Sequence, residues 1–528
     1  MPVLPKPFFV LRASWHTARV ARRLSRPDTA GRSQQLALSE LLKNIALTAY
    51  GRDFGIDPAM SYDQFRARVP LRNHEQLDPY FRRIKRGEPS VLWPGHCHFY
   101  VESAGTTGKA KWLPVTEAFL THFETAEADA LLYYSARVGD SGVFRGRHLA
   151  LAPLLPVRPI AKTELSSVPD ESSALSPPGT RPSWGAPQLA EPTADITAGP
   201  EWSARIEAII TRTLEMDITL LAGLPNWLLV FSDALRGRAI ASKMLATALN
   251  TIWPHLECVV HYGIPASPFL EELKRTAGYL VNLHEIYFAS EAFVAAQDAE
   301  AALGLRLMQD SGVFYEFLPL SDFEESLPLT LGARALSVEQ VRPNENYVLL
   351  ITTPAGLCRY VVGDIIRFVS TEPLRLIYVG RTQLRLNSYH ENVLEKELTD
   401  SLLAVCQRHS WTITNFHVAP LPASSLSGQT KGRHEWWVEL RPGTNETPTG
   451  PILAGHLDLD LSARNETYAG KRGRNDLDAP VVRLVMPGFF AHWLDHQKMW
   501  GGQKKMPRCR SDRLIADEFS AIACFTAD

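Results

Sequence analysis

The chain has 528 residues, room for about three domains at ~150 residues each or for one large α/β unit with a smaller companion. Its 55 Lys+Arg against 57 Asp+Glu give a formal net charge of −2, which argues against a chain built mainly to grip nucleic acid. With 45% hydrophobic and 21% charged residues, it is neither disordered nor in need of covalent staples to hold a core.

Residues 14–52 read as helical, with Leu36, Leu38, Leu41, Leu42 and Ile45 recurring at helical spacing. From Tyr62 to Gly87, Pro70 and Pro79 punctuate short helices with breaks. Between Thr163 and Pro200 the composition shifts to Ser, Pro, Ala and Gly, which predicts a flexible surface loop over 163–200. Helical patterns resume with "WSARIEAIITRTLEM" and "NWLLVFSDALRGRAIASKMLATALNTIW". The period then changes, and "LECVVHYG", "LVNLHEIYFAS", "GLRLMQD", "GVFYEFLPL", "NYVLLITT" and "LRLIYVG" read as strands bounded by turn residues. After Arg381, strand and helix alternate, and a polar connector near Asn387 sets an expected boundary between domains 1–387 and 388–528. "LDLDLSARNETYAGKR" begins with strand-like alternation, but Asn465, Tyr468 and Arg472 share a helical face, so a helix is expected.

The six cysteines, Cys97, Cys258, Cys358, Cys406, Cys509 and Cys524, include no C-x-x-C pair, so reduced and mostly buried thiols are expected. The apolar run Phe8–Leu11 is too short for a signal-peptide core, and no apolar stretch of about 20 residues offers a membrane span. A cytoplasmic protein without nucleic-acid or membrane partners is the expectation, with the sequons at Asn445 and Asn465 as chance matches.

Four segments carry candidate chemistry. In "FYVESAGTTGKAKWLPVT", an aromatic strand runs into Ser103-Ala104-Gly105-Thr106-Thr107-Gly108-Lys109. Small residues let backbone N–H groups close around phosphate oxygens, hydroxyls add donors and lysine neutralises charge. The spacing is not that of the P-loop, and composition alone leaves a phosphate cradle and a plain polar turn both open. "HEIYFASEAF" holds Tyr287, Ser290 and Glu291, an aromatic ring and a carboxylate at a strand end, or ordinary surface residues. "GLCRYVVGDIIRF" sets Arg359, Tyr360, Gly363 and Asp364 between hydrophobic strands, with Gly-Asp either a ribose-binding strand end or a simple turn. "MWGGQKKMPRCR" gives a glycine-led basic loop bearing Lys504, Lys505 and Arg508. His96 and His98 alternate like strand residues, and two imidazoles without further ligands point to a structural role.

In this order the segments resemble one family, the auxin-responsive Gretchen Hagen acyl acid–amido synthetases, within the acyl-adenylate-forming superfamily that includes luciferase and acyl-CoA ligases. Ser103 to Pro114 follows that family's phosphate loop with Ala104 at its second position, and Tyr287 to Glu291 follows its Y-x-[AS]-S-E stretch. Phe314 to Pro319 is similar to its aromatic strand with a central glutamate. Cys358 to Asp364 matches with Cys358 in place of tyrosine, and Gln503 to Arg508 with Lys504 at a tyrosine position. The resemblance runs from about residue 35 to about residue 510; His390-Glu391-Asn392 stands where G-E-K is common, and 163–200 has no counterpart.

The resemblance implies an α/β fold: a large N-terminal domain of β-sheets flanked by helices, and a small mobile α+β C-terminal domain acting as a lid. It implies ATP and Mg²⁺, with small carboxylic acid and amine substrates, the amine an amino acid, and a monomeric, soluble enzyme of bacterial type. Ser103, Gly105, Thr106, Thr107 and Lys109 would hold phosphates, Tyr287 would meet adenine, Ser290 would belong to the same cofactor-binding set, and Glu291 would serve Mg²⁺ and catalysis. Asp364 would hold ribose, Arg381 is a ribose or phosphate contact or a solvated hinge residue, and Lys505 would neutralise charge at the carboxylate–phosphate junction. Trp227, Tyr262 and Gly263 would line the acyl pocket or serve as ordinary core. Two other readings stand beside this one: an acyl-CoA ligase using the same adenylate, and a nucleotide-binding homologue without catalysis.

Overall fold

The computed structural model describes residues 6–26, 30–103, 111–160, 184–193, 196, 202–324, 326–423, 431–441, 448–497 and 506–522. The 163–200 loop expectation falls largely outside them. The chain divides into two compact units, Met1–Val362 with Ile366–Tyr378, and Gly363–Ile365 with Val379–Asp528.

The helix expected over 14–52 is three pieces, Lys6–Leu24, Ala30–Ile45 and Ala49–Asp53. Pro27 follows the first, and a residue before proline is pushed out of the helical region. Thr48 opens the third by accepting a hydrogen bond from the Gly51 N–H at 3.0 Å. Pro79, expected as a break, lies inside helix His74–Lys85. The lost hydrogen bond is offset by a capping box of Asn73 with Gln76 and by the buried stripe Leu77, Phe81 and Ile84.

Most of an eleven-stranded sheet lies in the first unit. In spatial order its strands are Phe314–Pro319, Asn346–Thr352, Tyr360–Thr371, Leu374–Arg381, Leu305–Leu307, Ala292–Ala296, Asn282–Ala289, Cys258–His261, Ile218–Gly223, Arg147–Ala150 and Ala190–Glu191. From Asn282–Ala289 to Ala190–Glu191 the pairing is parallel, and the near-continuous apolar runs of these strands are what burial on both faces requires. At Asn282–Ala289 the sheet turns antiparallel, through its hairpin with Ala292–Ala296. Helices Glu117–Val138, Trp202–Thr213 and Pro225–Ala241 belong to this unit, and a separate three-stranded antiparallel sheet joins Lys111–Val115, Phe99–Ser103 and Val157–Pro159. The α/β class expected from the sequence is therefore the class observed.

The Gly363-Asp364 pair lies within the continuous strand Tyr360–Thr371 rather than at a strand end or a turn. Gly363 takes φ +89 there, a conformation that costs a glycine nothing and kinks the strand without ending it.

The second unit holds a three-stranded sheet of Thr412–Leu421, Arg433–Arg441 and Val481–Val485, the first pair antiparallel and the second parallel. Alternation sends Trp436 and Trp437 to opposite faces. Trp436 packs with Val418, Leu402 and Leu457, and Trp437 with Ala419, Phe489 and Phe519, so each face has its own apolar cluster. The ambiguous "LDLDLSARNETYAGKR" segment is helical, in Gly450–Arg464 and Glu466–Gly473, with Asn465 capping the second through the Tyr468 N–H. The five described cysteines are free thiols, four of them buried, and among the described residues no helix is long and apolar enough to cross a membrane.

Candidate active site

The parallel half of the large sheet has one reversal of winding. After Arg147–Ala150 the chain lays Ala190–Glu191 on one side of that strand, then crosses to place Ile218–Gly223 on the other. Such a switch opens a crevice at the carboxyl ends of the strands, where ligands of open α/β sheets collect. Three singled-out segments end up at those carboxyl ends. Trp227 sits in the first turn of helix Pro225–Ala241, directly after strand Ile218–Gly223. Tyr262 and Gly263 follow strand Cys258–His261, whose His261 pairs with Gly223 on one side and Glu285 on the other. Tyr287, Ser290 and Glu291 close strand Asn282–Ala289.

The Tyr287–Glu291 segment forms a tight hairpin in which Ala289 pairs with Ala292 and a bulge falls between Tyr287 and Phe288. Glu291 is only 5% exposed although it occupies the turn, and Tyr287 is 8% exposed with its ring 5.7 Å from that of Tyr378. Phe288 carries the ring of Tyr262 at 5.1 Å, and burial raises the Tyr262 hydroxyl pKa, so it stays protonated. The structure thus brings Tyr262 to the hairpin. Trp227 and Tyr262 are both buried, whereas Gly263 is exposed at φ +84, a left-handed position that suits glycine.

Two buried residues near the hairpin escaped the sequence reading. The Phe293 N–H donates to Nε2 of His122 at 3.2 Å, while Nδ1 of His122 lies 2.6 Å from the carbonyl of Ser311. The imidazole is therefore neutral with its proton on Nδ1, and burial lowers its pKa to about 4. Glu127, on the same helix, accepts the Trp184 N–H and acts electrostatically on Tyr262. The only signal for either was a polar residue on a helix, Glu117–Val138, with apolar residues around most of its circumference.

Glu316 and Arg359, which lie in motif segments, form a fully buried ion pair at 2.7 Å. Nε and Nη2 of Arg359 donate to the Glu316 carboxylate, Nη1 to the carbonyls of Arg66 (2.8 Å) and Val69 (2.7 Å), and Nη2 also to Gly332 (2.8 Å). Every guanidinium N–H has an acceptor, which marks an internal strut rather than a ligand contact. In the second unit, Asp364 and Arg381 face one another at 3.0 Å between Oδ1 and Nε, so the guanidinium fixes the orientation of the carboxylate.

Strands Phe99–Ser103 and Lys111–Val115 pair antiparallel with Ser103 opposite Lys111, and in the sequence these two strands flank the glycine-rich segment. Gly105, Thr106, Thr107 and Lys109 lie outside the described residues, as does the Ser103 side chain. Lys505 lies outside them too. The chain that follows it is held beside Val418 by an isolated bridge: the Val418 N–H donates to the Arg508 carbonyl at 2.8 Å, the Arg510 N–H to the Val418 carbonyl at 3.1 Å, and Nδ1 of His417 lies 2.7 Å from the Pro507 carbonyl. The rings of His96 and His98 are 6.2 Å apart, and no cluster of three or more potential metal ligands occurs among the described residues.

Family models and curated relatives point to one family, and solved structures share the fold. The GH3 family N-terminal, central and C-terminal domain models match residues 26–154, 306–381 and 396–514. Indole-3-acetic acid-amido synthetase GH3.8 of Oryza sativa subsp. indica is 24% identical over 90% of this chain and 87% of its own. Jasmonoyl–L-amino acid synthetase JAR4 of Nicotiana attenuata is 23% identical over 91% of each. These relatives are plant proteins and lend no support to the bacterial type expected from the sequence. The solved AtGH3.15 acyl acid amido synthetase in complex with 2,4-DB aligns over 100% of this chain and 99% of its own with a TM-score of 0.73 at 15% identity. A 2-hydroxyisobutyryl-CoA ligase in the postadenylation state aligns over 93% of this chain and 90% of its own, with a TM-score of 0.56 at 16% identity. Matched by all three domain models over more than half of its length, the chain belongs to the GH3 family.

Proposed function

We propose that the protein is an ATP-dependent acyl acid–amido synthetase. It joins a small carboxylic acid to AMP with release of pyrophosphate, then passes the acyl group to an amine, an amino acid in this reading, with release of AMP. Family membership supports the reaction class, since the relatives are amido synthetases for indole-3-acetic acid and for jasmonoyl–amino acid formation. The observation that carries the reading onto this chain is the convergence of Trp227, Tyr262 and the Tyr287–Glu291 hairpin at the carboxyl ends of adjacent parallel strands, beside a topological switch.

A free carboxylate resists an amine because its carbonyl carbon is electron-rich and its leaving group would be oxide. Attack of a carboxylate oxygen on the α-phosphorus of ATP breaks the bond to pyrophosphate and forms an anhydride with a good leaving group. The amine nitrogen then attacks the carbonyl carbon, loses a proton and expels AMP. In this scheme Tyr287 offers a flat ring for adenine, with Ser290 beside it, and Asp364, held by Arg381, receives the ribose hydroxyls. Ser103, Gly105, Thr106, Thr107 and Lys109 cradle phosphate, and Lys505 supplies a compact cation to the reacting carboxylate and phosphate. Trp227, Tyr262 and Gly263 border the acid, and the neutral Tyr262 hydroxyl adds no negative charge there.

Mg²⁺ fits this donor set. It is commonly held by one or two carboxylates together with substrate phosphates and water, and Glu291 is a buried carboxylate at the hairpin turn. When bound, the ion would neutralise charge on the phosphate oxygens. The 1–387 region would carry adenylation and 388–528 the mobile lid, in a cytoplasmic monomer.

The reading is tested by screening carboxylic acids for acid-dependent ATP–pyrophosphate exchange, then amino acids for amide product by mass spectrometry. Exchange followed by amide formation is expected. Thioester formation with CoA and no amide with any amino acid would replace this reading with the acyl-CoA ligase, and no exchange with any acid would remove the adenylation step.

A further inference from the structure

The family's N-terminal domain model begins at residue 26, so helix Lys6–Leu24 lies outside it. The inward face of this helix is anchored. Ala13 and Val20 are buried, and Arg23 pairs with Asp129 at 2.7 Å and with Asp310 at 3.2 Å. The outward face has a different character. At about 100° per residue, Leu11, Arg12, Trp15, Arg19 and Arg22 fall on one stripe, with Arg26 continuing it just beyond the helix. Leu11 is 68% exposed and Trp15 59%, and all four arginines of the stripe are exposed. The Arg19 guanidinium lies over the Trp15 ring, 5.9 Å from its centroid. No Asp or Glu precedes Asp28, whereas Lys6, Arg12, Arg19, Arg22, Arg23 and Arg26 all carry positive charge.

A stripe of arginines alone would suit any polyanion. Interleaving them with a leucine and a tryptophan suits one kind of surface, because tryptophan settles at the headgroup level, an aliphatic side chain enters the acyl boundary and arginines meet lipid phosphates. The absence of acidic residues removes the repulsion that an anionic surface would otherwise meet. We propose that the outward face of helix Lys6–Leu24 docks this protein on an anionic lipid surface, lying flat upon it while the inward face stays packed. The proposal is independent of the reaction assigned above, and it places that reaction at a membrane surface.

The test is sedimentation of the full-length protein with phosphatidylcholine vesicles, with or without phosphatidylserine, at several potassium chloride concentrations. Binding is expected only with phosphatidylserine and should weaken as salt rises. Arg19→Glu with Arg22→Glu should lower the partition coefficient by at least about 25-fold, taking roughly fivefold for each basic residue near such a surface. Leu11→Ser with Trp15→Ser should lower it several-fold at unchanged charge. All four side chains are exposed and, among the described residues, touch no proposed site residue, so both variants should keep the wild-type thermal transition and pyrophosphate exchange. Absence of phosphatidylserine-dependent binding at low salt would overturn the proposal. Undiminished binding by the Leu11/Trp15 variant would do the same, in favour of a polyanion such as RNA recognised by charge alone. Loss of the thermal transition in either variant would show the face to be packed, and would also overturn it.

Discussion

Replacing Arg359 by methionine tests whether the buried strut holds the first unit together. The substitution keeps much of the side-chain length but removes the cation paired with Glu316, which is itself fully buried. Breaking a buried pair by deleting one partner costs about 3–5 kcal/mol. It also strips the Arg66 and Val69 carbonyls of the guanidinium donor, and an orphaned buried acceptor costs roughly 1–3 kcal/mol. These penalties overlap, because Glu316 can take up a proton and the Tyr62 hydroxyl, 3.1 Å away, still donates to it. The expected loss is therefore about 5 kcal/mol, a large part of the total stability of an ordinary domain. Burial opposes the charge on Arg359, and Glu316 with its neighbours more than offsets this, so the guanidinium pKa is raised and no accessible pH mimics the mutation. The assay is urea unfolding followed by circular dichroism and tryptophan fluorescence on the wild type, both single variants and the double variant Arg359→Met with Glu316→Leu. The double variant should recover part of the loss, giving a coupling of at least ~2 kcal/mol between the two positions. A single variant within about 1 kcal/mol of wild type, or a double variant no more stable than Arg359→Met, would refute the strut.

Lys505→Ala is expected to slow pyrophosphate exchange about a hundredfold, the loss of a cation worth on the order of 3 kcal/mol in the transition state, while Lys504→Ala changes it little. Equal losses in the two variants, read by isotope exchange, would reduce the segment to a basic loop. Glu291→Gln should raise the Mg²⁺ concentration needed for half-maximal exchange, and an unchanged metal titration would remove Glu291 from that role. Gly356→Ala should destabilise strongly, because a Cβ there would lie 2.0 Å from the Leu92 carbonyl oxygen at a backbone φ of +80; an unchanged melting temperature would contradict the packing. Burial lowers the pKa of His122, His148 and His261 to about 4 and that of His284 to about 3, so these rings stay neutral in the fold while the unfolded chain protonates near 6.5. Their contribution is complete above pH 6.5 and fades as pH falls toward 4, by about 1.4 kcal/mol per pH unit for each histidine. Urea midpoints that stay flat from pH 6.5 to pH 4.5 would show that these rings titrate normally.

The strands were readable because burial on both sheet faces leaves continuous apolar runs between turn residues, as in "LECVVHYG" and "NYVLLITT". Helix breaks were less so, since Thr48 caps a helix through one hydroxyl and Pro79 is tolerated where a buried stripe compensates. The Gly363-Asp364 pair misled because a turn dipeptide and a strand kink have the same composition. Glu316 and Arg359 were visible as motif residues, but a charge in an apolar strand reads equally as ligand or strut until its partner 43 positions away is known. His122 and Glu127 were hidden for the same reason, since their partners come from distant parts of the chain.

The Ser290–Glu291 turn is also the seam between the parallel and antiparallel halves of the large sheet. The parallel half draws on strands from Arg147 to Ala289, and its pairings wait for long crossovers to close. The other half reaches as far as Arg381 along the chain. A carboxylate at the seam is held in place only when both halves are complete, so neither half-sheet alone would display it. During refolding, helix content should therefore return ahead of pyrophosphate exchange, and the interval between them would time the closing of the sheet.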